Sequence, residues 1–135
     1  MPRPYVSDTL KQVNPVPRRA LIVDDSRAFC AAATAMLESA GVEVVGTAAT
    51  LATAVHAADE TRPDLILVDI DLGGENGFDV VAALNDLALE PRPAIVLVST
   101  HDEDDFADLV ESSAAVGFVP KFALSVELIA RAITR

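Results

Sequence analysis

Leu65-Ile66-Leu67-Val68-Asp69-Ile70-Asp71-Leu72-Gly73-Gly74 holds a carboxylate between an apolar run and a pair of glycines. Four consecutive aliphatic residues read as a strand buried on both faces, and the glycines read as a turn, so Asp69 is expected at a strand's C-terminal edge. Open α/β sheets carry their chemistry at that edge.

The same pattern recurs on either side. Ala20-Leu21-Ile22-Val23 reads as a strand ending in Asp24-Asp25, and Ser26 as the N-cap of a helix that buries Phe29, Ala33, Met36, Leu37 and Ala40 until Gly41 stops it. Val42 to Gly46 is a second strand, followed by a helix from about Thr50 with Leu51, Ala54, Val55 and Ala58 inward and Pro63 at its end. Beyond a Gly73-Gly74-Glu75-Asn76-Gly77 loop, Phe78, Val81, Leu84 and Leu87 form a helical stripe that ends before Pro91 and Pro93. Ile95-Val96-Leu97-Val98 is a fourth strand, closing at Ser99-Thr100. A helix with Phe106, Leu109 and Val110 on one side leads to a fifth strand, Val116-Gly117-Phe118-Val119, which ends at Pro120-Lys121. Leu124, Leu128, Ile129, Ala132 and Ile133 make the last helical face. Five strands alternating with five helices imply right-handed βαβ units around a doubly wound parallel sheet. The flavodoxin-like strand order 2-1-3-4-5 is expected, with its switch point between strands one and three.

At 135 residues the chain has room for one domain, and with 51% hydrophobic but only 4% aromatic residues its core must be aliphatic. Residues 1–19 carry Arg3, Lys11, Arg18 and Arg19 against Asp8, with four prolines, and read as a flexible N-terminal tail before a domain spanning 20–135. Removing that +3 from the total of −11 leaves −14 on the domain, which argues against direct nucleic-acid binding, because phosphate contacts need Lys and Arg. No apolar run approaches the ~18 residues of a membrane span and no signal region opens the chain, so a soluble cytoplasmic protein with no membrane contact is expected. The single cysteine, Cys30, cannot close an internal disulfide and reads as a small core residue. The acidic stretch Asp102-Glu103-Asp104-Asp105, with Asp108 and Glu111, reads as a solvated face, or as one that steers a basic partner.

In the expected strand order Asp24 and Asp25 emerge beside Asp69. Two carboxylates about 4 Å apart repel by ~1 kcal/mol in water and ~4 kcal/mol at an effective dielectric of 20, so a gathering of three implies a cation to offset them. Hard oxygen donors suit Mg²⁺, which takes one or two carboxylates and shares itself with a phosphate. His56 and His101 are isolated and no second cysteine exists, which disfavours softer metals. Acids at a helix N-terminus would explain Asp24 or Asp25 singly, but not the pair together with Asp69. Lys121 is the only lysine of residues 20–135, and it stands at the mouth of the fifth strand, where an ammonium on a flexible stem can reach a phosphoryl oxygen. Ser99 adds a hydroxyl at the same edge.

Asp24-Asp25 after strand one, Asp69 after strand three, Ser99 after strand four, Phe118 within strand five and Lys121 just past it together resemble the receiver domains of two-component response regulators, CheY-like modules, from about Ala20 to Ala132. The resemblance implies that Asp69 accepts a phosphoryl group from a sensor histidine kinase, a phosphotransfer protein or a small donor, with Mg²⁺ as cofactor. Asp25, Asp69 and the main-chain carbonyl of Asp71 would bind the metal directly and Asp24 mostly through water, while Ser99 and Lys121 would hold the phosphoryl oxygens. Ser99 and Phe118 would form the switch: Ser99 moves toward the phosphate, Phe118 turns inward, and the face of the fourth helix, fifth strand and fifth helix is remodelled for a downstream protein or a homodimer. On this reading the chain is a phosphoacceptor rather than an enzyme with an external substrate, and a stand-alone receiver without an output domain.

Some positions depart from the usual family pattern. Phe122 follows Lys121 where proline is common, in a segment resembling receivers of helix-turn-helix (NarL/LuxR-type) regulators; Gly73-Gly74 stand where proline often occurs. Asp71 adds a fourth carboxylate, and His101 lies where the family tunes phosphate lifetime. Two alternatives stay open. Asp69-Ile70-Asp71 also resembles the Asp-x-Asp of haloacid-dehalogenase-like phosphatases, although there it lies on the first strand, and steady turnover of an external phosphoester would distinguish it. A receiver that binds partners without phosphorylation would fail to bind beryllofluoride with Mg²⁺.

Overall fold

Leu65 to Asp69 form a strand buried throughout its length, at the centre of a five-stranded parallel sheet. The computed structural model describes residues 17–101 and 106–134. In chain order the elements are β1 (Arg19–Val23), α1 (Arg27–Ser39), β2 (Glu43–Ala48), α2 (Leu51–Thr61), β3 (Leu65–Asp69), β4 (Asp71–Leu72), β5 (Glu75–Asn76) and α3 (Gly77–Asp86). They continue with β6 (Ala94–Ser99), α4 (Ala107–Ser112), β7 (Gly117–Pro120), a 3₁₀ turn (Lys121–Ala123) and α5 (Val126–Thr134). The sheet order is β2-β1-β3-β6-β7. This is the expected flavodoxin-like order once the two-residue strands β4 and β5, which pair with each other outside the sheet, are set aside.

The continuous apolar strands follow from a sheet covered on both faces. Leu21, Val23, Ile66, Val68, Ile95 and Leu97 face one buried cluster with Ala54, Ala58, Val80, Val81 and Leu84 of α2 and α3. Ala20, Ile22, Leu65, Leu67 and Val96 face the other, with Ala33, Leu37, Ile129 and Ala132 of α1 and α5. Successive strand residues point to opposite faces, which is why a single run feeds both clusters.

Helix starts sit where short polar side chains replace a missing donor pairing. Ser26 accepts from the Phe29 N–H at 3.2 Å, and Thr50 and Thr53 cap the start of α2 reciprocally. Asn76 accepts from the Phe78 N–H at 2.7 Å. Several expectations are corrected. β1 begins at Arg19, whose N–H, like that of Arg18, donates to Asp64, so the last residues of the basic stretch are tied to the domain. Ala40 is exposed, because α1 closes at Ser39 and Ala40 is already its C-cap. Leu109 is 52% exposed, since the short helix α4 places only Val110 in the core, and Val116 lies outside β7 and in solvent. Residues 1–16 and the run Asp102 to Asp105 lie outside the described residues. Among the described residues no helix is long and apolar enough to cross a membrane.

Candidate phosphoacceptor site

Strand register brings the singled-out residues to one edge. Val23 pairs with Val68, so Asp24 and Asp69 are the next residues of adjacent strands; Asp69 pairs with Val98, and Ser99 pairs with Pro120, one residue before Lys121. The site is thus assembled by the parallel ladder from residues that are far apart in the chain. One carboxylate oxygen each from Asp24, Asp25 and Asp69 lie within 4.8 Å of one another.

The three acids differ in surroundings. Asp24 is 3% exposed; its Oδ1 accepts from the Ser26 N–H at 2.8 Å, and its buried Oδ2 faces Lys121 Nζ at 2.7 Å as an ion pair rather than a directed hydrogen bond. Asp69 is 5% exposed; its Oδ1 accepts from the Asp71 N–H at 3.2 Å and its Oδ2 from Lys121 Nζ at 3.2 Å. Asp25 is exposed and forms no ion pair among the described residues. Burial first, and the neighbouring charge of Asp24 second, push the Asp69 carboxyl above the usual carboxylate range, against the opposing pull of the Asp71 N–H and Lys121. Burial tends to lower the Lys121 ammonium, but its contacts with Asp24 and Asp69 outweigh that and raise it. The ammonium also lies over the Phe29 ring, 4.3 Å from its centroid. Lys121 therefore already supplies one of the offsetting charges the acids require.

The loop after Asp69 holds it in place. The β4–β5 hairpin turns at Gly73, whose φ of +74° is a left-handed conformation costly for other residues. Gly77 donates to the Ile70 carbonyl at 2.7 Å, and a Cβ there would sit 2.1 Å from the Asp69 carbonyl oxygen. Only glycine lets α3 start this close to the Asp69 backbone. Two-residue strands show no alternation, so the only signal of the hairpin and of this contact in the sequence is the pair of glycines flanking Glu75-Asn76. Glu75 also reaches across to accept from the Leu51 N–H at 2.8 Å, tying the hairpin to the start of α2.

Ser99 is 1% exposed, and its Oγ accepts from the His101 N–H at 3.0 Å, which leaves its own proton free to donate. His101 Nδ1 lies 3.5 Å from that oxygen, and its exposed ring meets Phe106 edge-on at 5.9 Å. The Asp71 side chain is exposed and accepts from the Gly73 N–H, outside the three-acid cluster. Cys30 is half-buried, with Sγ 3.5 Å from the Asp24 carbonyl and its thiol pushed up chiefly by burial. Phe118 is 6% exposed, with its ring packed in the cluster of Ile95, Leu97 and Val110.

Comparison with known proteins agrees with this geometry. The family model for the response regulator receiver domain matches residues 20–133. A protein-glutamate methylesterase/protein-glutamine glutaminase of Halobacterium salinarum is 32% identical over 112 residues, which cover 81% of this chain and 32% of that protein. The signal receiver domain of the response regulator NarL from Mycobacterium tuberculosis superposes with a TM-score of 0.75 at 28% identity, over 90% of this chain and all of that one. A response regulator from Burkholderia pseudomallei, solved with a phosphorylated aspartic acid, a calcium ion and citrate, gives a TM-score of 0.75 at 26% identity, over 86% of this chain and 66% of that one. The chain spans from 26% to 53% of the length of the curated relatives compared with it. The acid pair, the central aspartate, the serine and the lysine meet at one sheet edge within the matched span, and the chain belongs to the response regulator receiver family.

Proposed function

We propose that Asp69 accepts a phosphoryl group from a sensor histidine kinase or a phosphotransfer protein in a Mg²⁺-dependent reaction, and that the phosphorylated domain presents a changed protein-interaction surface. The observation that carries this reading is the pairing of Asp69 Oδ2 with Lys121 Nζ at 3.2 Å beside the oxygens of Asp24 and Asp25. A nucleophile, a cation for the incoming oxygens and a set of metal donors share one edge.

The donors fit a hard divalent cation: all are oxygens, they converge within 4.8 Å, and the buried Asp24 Oδ2 already faces a cation, the Lys121 ammonium at 2.7 Å. Asp24, Asp25 and Asp69 would hold it, with the Asp71 carbonyl. Bound there, Mg²⁺ supplies positive charge against the carboxylates and the phosphoryl oxygens. Burial leaves the Asp69 carboxylate poorly solvated and therefore a better nucleophile than an aspartate in water. An Asp69 oxygen forms the new O–P bond as the N–P bond of the donor's phosphohistidine breaks, and the electron pair leaves with the imidazole. Lys121 moves its ammonium from the carboxylates to the phosphoryl oxygens, and the Ser99 hydroxyl donates to another of them. Ser99 is bonded to the chain at His101, so its shift displaces the backbone that leaves β6 and alters the face formed by α4, β7 and α5. The buried Phe118 ring then serves as the packing surface on which that face is repositioned.

Beryllofluoride, a stable mimic of the acyl phosphate, tests the reading. Fluorine NMR with Mg²⁺ present should show a bound signal that disappears in Asp69→Asn and without Mg²⁺. Absence of the signal in the unaltered chain would favour a domain that binds partners without phosphorylation.

A further inference from the structure

The β4–β5 hairpin joins only two residue pairs, Asp71 with Asn76 and Leu72 with Glu75. So short a ribbon does not hold its own shape in water, and its position depends on what anchors it. Leu72 anchors β4, buried in the cluster formed with α2 and α3. Glu75 anchors β5: its side chain is exposed, and its Oε1 accepts from the Leu51 N–H at 2.8 Å, across 24 positions of chain. Thr50 and Thr53 satisfy each other's N–H, so what the first turn of α2 still offers at its positive end includes the Leu51 N–H. The far side of the hairpin lies against the acids. A Cβ placed on Gly73 would stand 3.1 Å from Asp25 Oδ2, and the Asp71 N–H donates to Asp69 Oδ1 at 3.2 Å. The hairpin therefore spans from two of the three clustered carboxylates to the start of α2.

We infer that Glu75 is a positioning residue for the divalent cation: by holding β5 to the start of α2 it sets where β4 and its turn stand relative to Asp25 and Asp69, and so how tightly the acid site takes Mg²⁺. The inference rests on the reading of that cluster as a Mg²⁺ site. Glu75 acts through the hairpin and not as a ligand, since it stands outside the group of carboxylates whose oxygens converge. A cation drawn to Asp25, Asp69 and the Asp71 carbonyl fixes β4, and β4 fixes its partner β5. The coupling is reciprocal: docking of Glu75 on α2 strengthens the metal, and the metal strengthens that docking by the same factor.

The test is a Mg²⁺ titration of the full chain followed by amide NMR, repeated on Glu75→Ala and Glu75→Gln. Glu75→Ala should weaken Mg²⁺ about fivefold, the low end of coupling between linked sites, whereas Glu75→Gln, whose amide oxygen can still accept from Leu51, should stay within about twofold of the unaltered chain. Saturating Mg²⁺ should slow hydrogen exchange at the Leu51 amide of the unaltered chain, and this slowing should vanish in Glu75→Ala. Unchanged Mg²⁺ affinity in Glu75→Ala, even with a lowered melting temperature, would overturn the inference and leave Glu75 as a cap of α2 only. Equal weakening in both variants would also overturn it, by assigning the effect to the charge of the carboxylate. Should Glu75→Ala not fold, the Leu51 amide of the unaltered chain decides: exchange indifferent to Mg²⁺ overturns the inference. Failure of the unaltered chain to bind Mg²⁺ at all would remove the underlying metal reading and this inference with it, a result distinct from the others because no variant is needed to see it.

Discussion

Asp69 is a buried carboxylate that carries its own electrostatic penalty. Its pKa is raised, so between the ordinary carboxylate value and the raised one the native state keeps a proton that the unfolded chain has lost, and stability falls as pH rises across that window. Asp69→Asn should therefore flatten this part of the pH–stability curve and, without divalent ions at neutral pH, raise stability by on the order of 1 kcal/mol, the scale of one carboxylate repulsion. Urea titrations at several pH values check both. Lys121 has the opposite sense: its raised pKa gives stability that is fully present below the ordinary lysine value and lost as pH rises through the higher folded one. Lys121→Met should cost roughly 1–3 kcal/mol without metal, because Asp24 loses the partner of a buried oxygen, and saturating Mg²⁺ should recover part of that loss. Asp24, Asp25, Asp69, Ser99 and Lys121 were legible in the sequence because each ends an apolar run at the same kind of position. That Lys121 already bridges Asp24 and Asp69, and that Phe118 is already buried, depends on side-chain packing across strands, on which run endings say nothing.

Strands and helices long enough to repeat a pattern were readable, with ends within a few residues. β3 begins at Leu65 as read and runs on to include Asp69, Ser26 caps as read, and the helix expected from about Thr50 starts at Leu51 with Thr50 as its cap. The β4–β5 hairpin was not readable, because pairs of residues such as Asp71-Leu72 and Glu75-Asn76 have no period. Short helices mislead in the same way: in α4 six residues cannot define a face, and Leu109 turned outward. The start of α3, just after the hairpin, packs directly on the Asp69 backbone at Gly77. Gly77→Ala would press a methyl group to 2.1 Å from the Asp69 carbonyl oxygen, so the chain must shift. It should lose about 1–3 kcal/mol, as overpacked sites do, and lose beryllofluoride binding more completely than its stability loss accounts for. Chemical denaturation beside fluorine NMR separates the two effects.

The parallel sheet turns distant sequence positions into one site, and on the proposed reading the same arrangement couples metal binding to folding. A ligand held only by the native state stabilises it by about 2.7 kcal/mol at a hundredfold excess over its dissociation constant. Mg²⁺ should therefore raise the melting temperature of the unaltered chain. Asp25→Ala should be as stable as the parent or slightly more so without metal, since Asp25 is exposed and has no ion pair among the described residues, yet should lose the Mg²⁺ increment. Differential scanning calorimetry with and without Mg²⁺ measures this directly. The central claim, that Asp69 is the phosphoacceptor, is tested most directly by intact-protein mass spectrometry after incubation with acetyl phosphate and Mg²⁺. The account predicts one added phosphoryl group, stable to acid and labile to base, that is absent in Asp69→Asn. Persistence of that group in Asp69→Asn, or no addition to the unaltered chain, would contradict it.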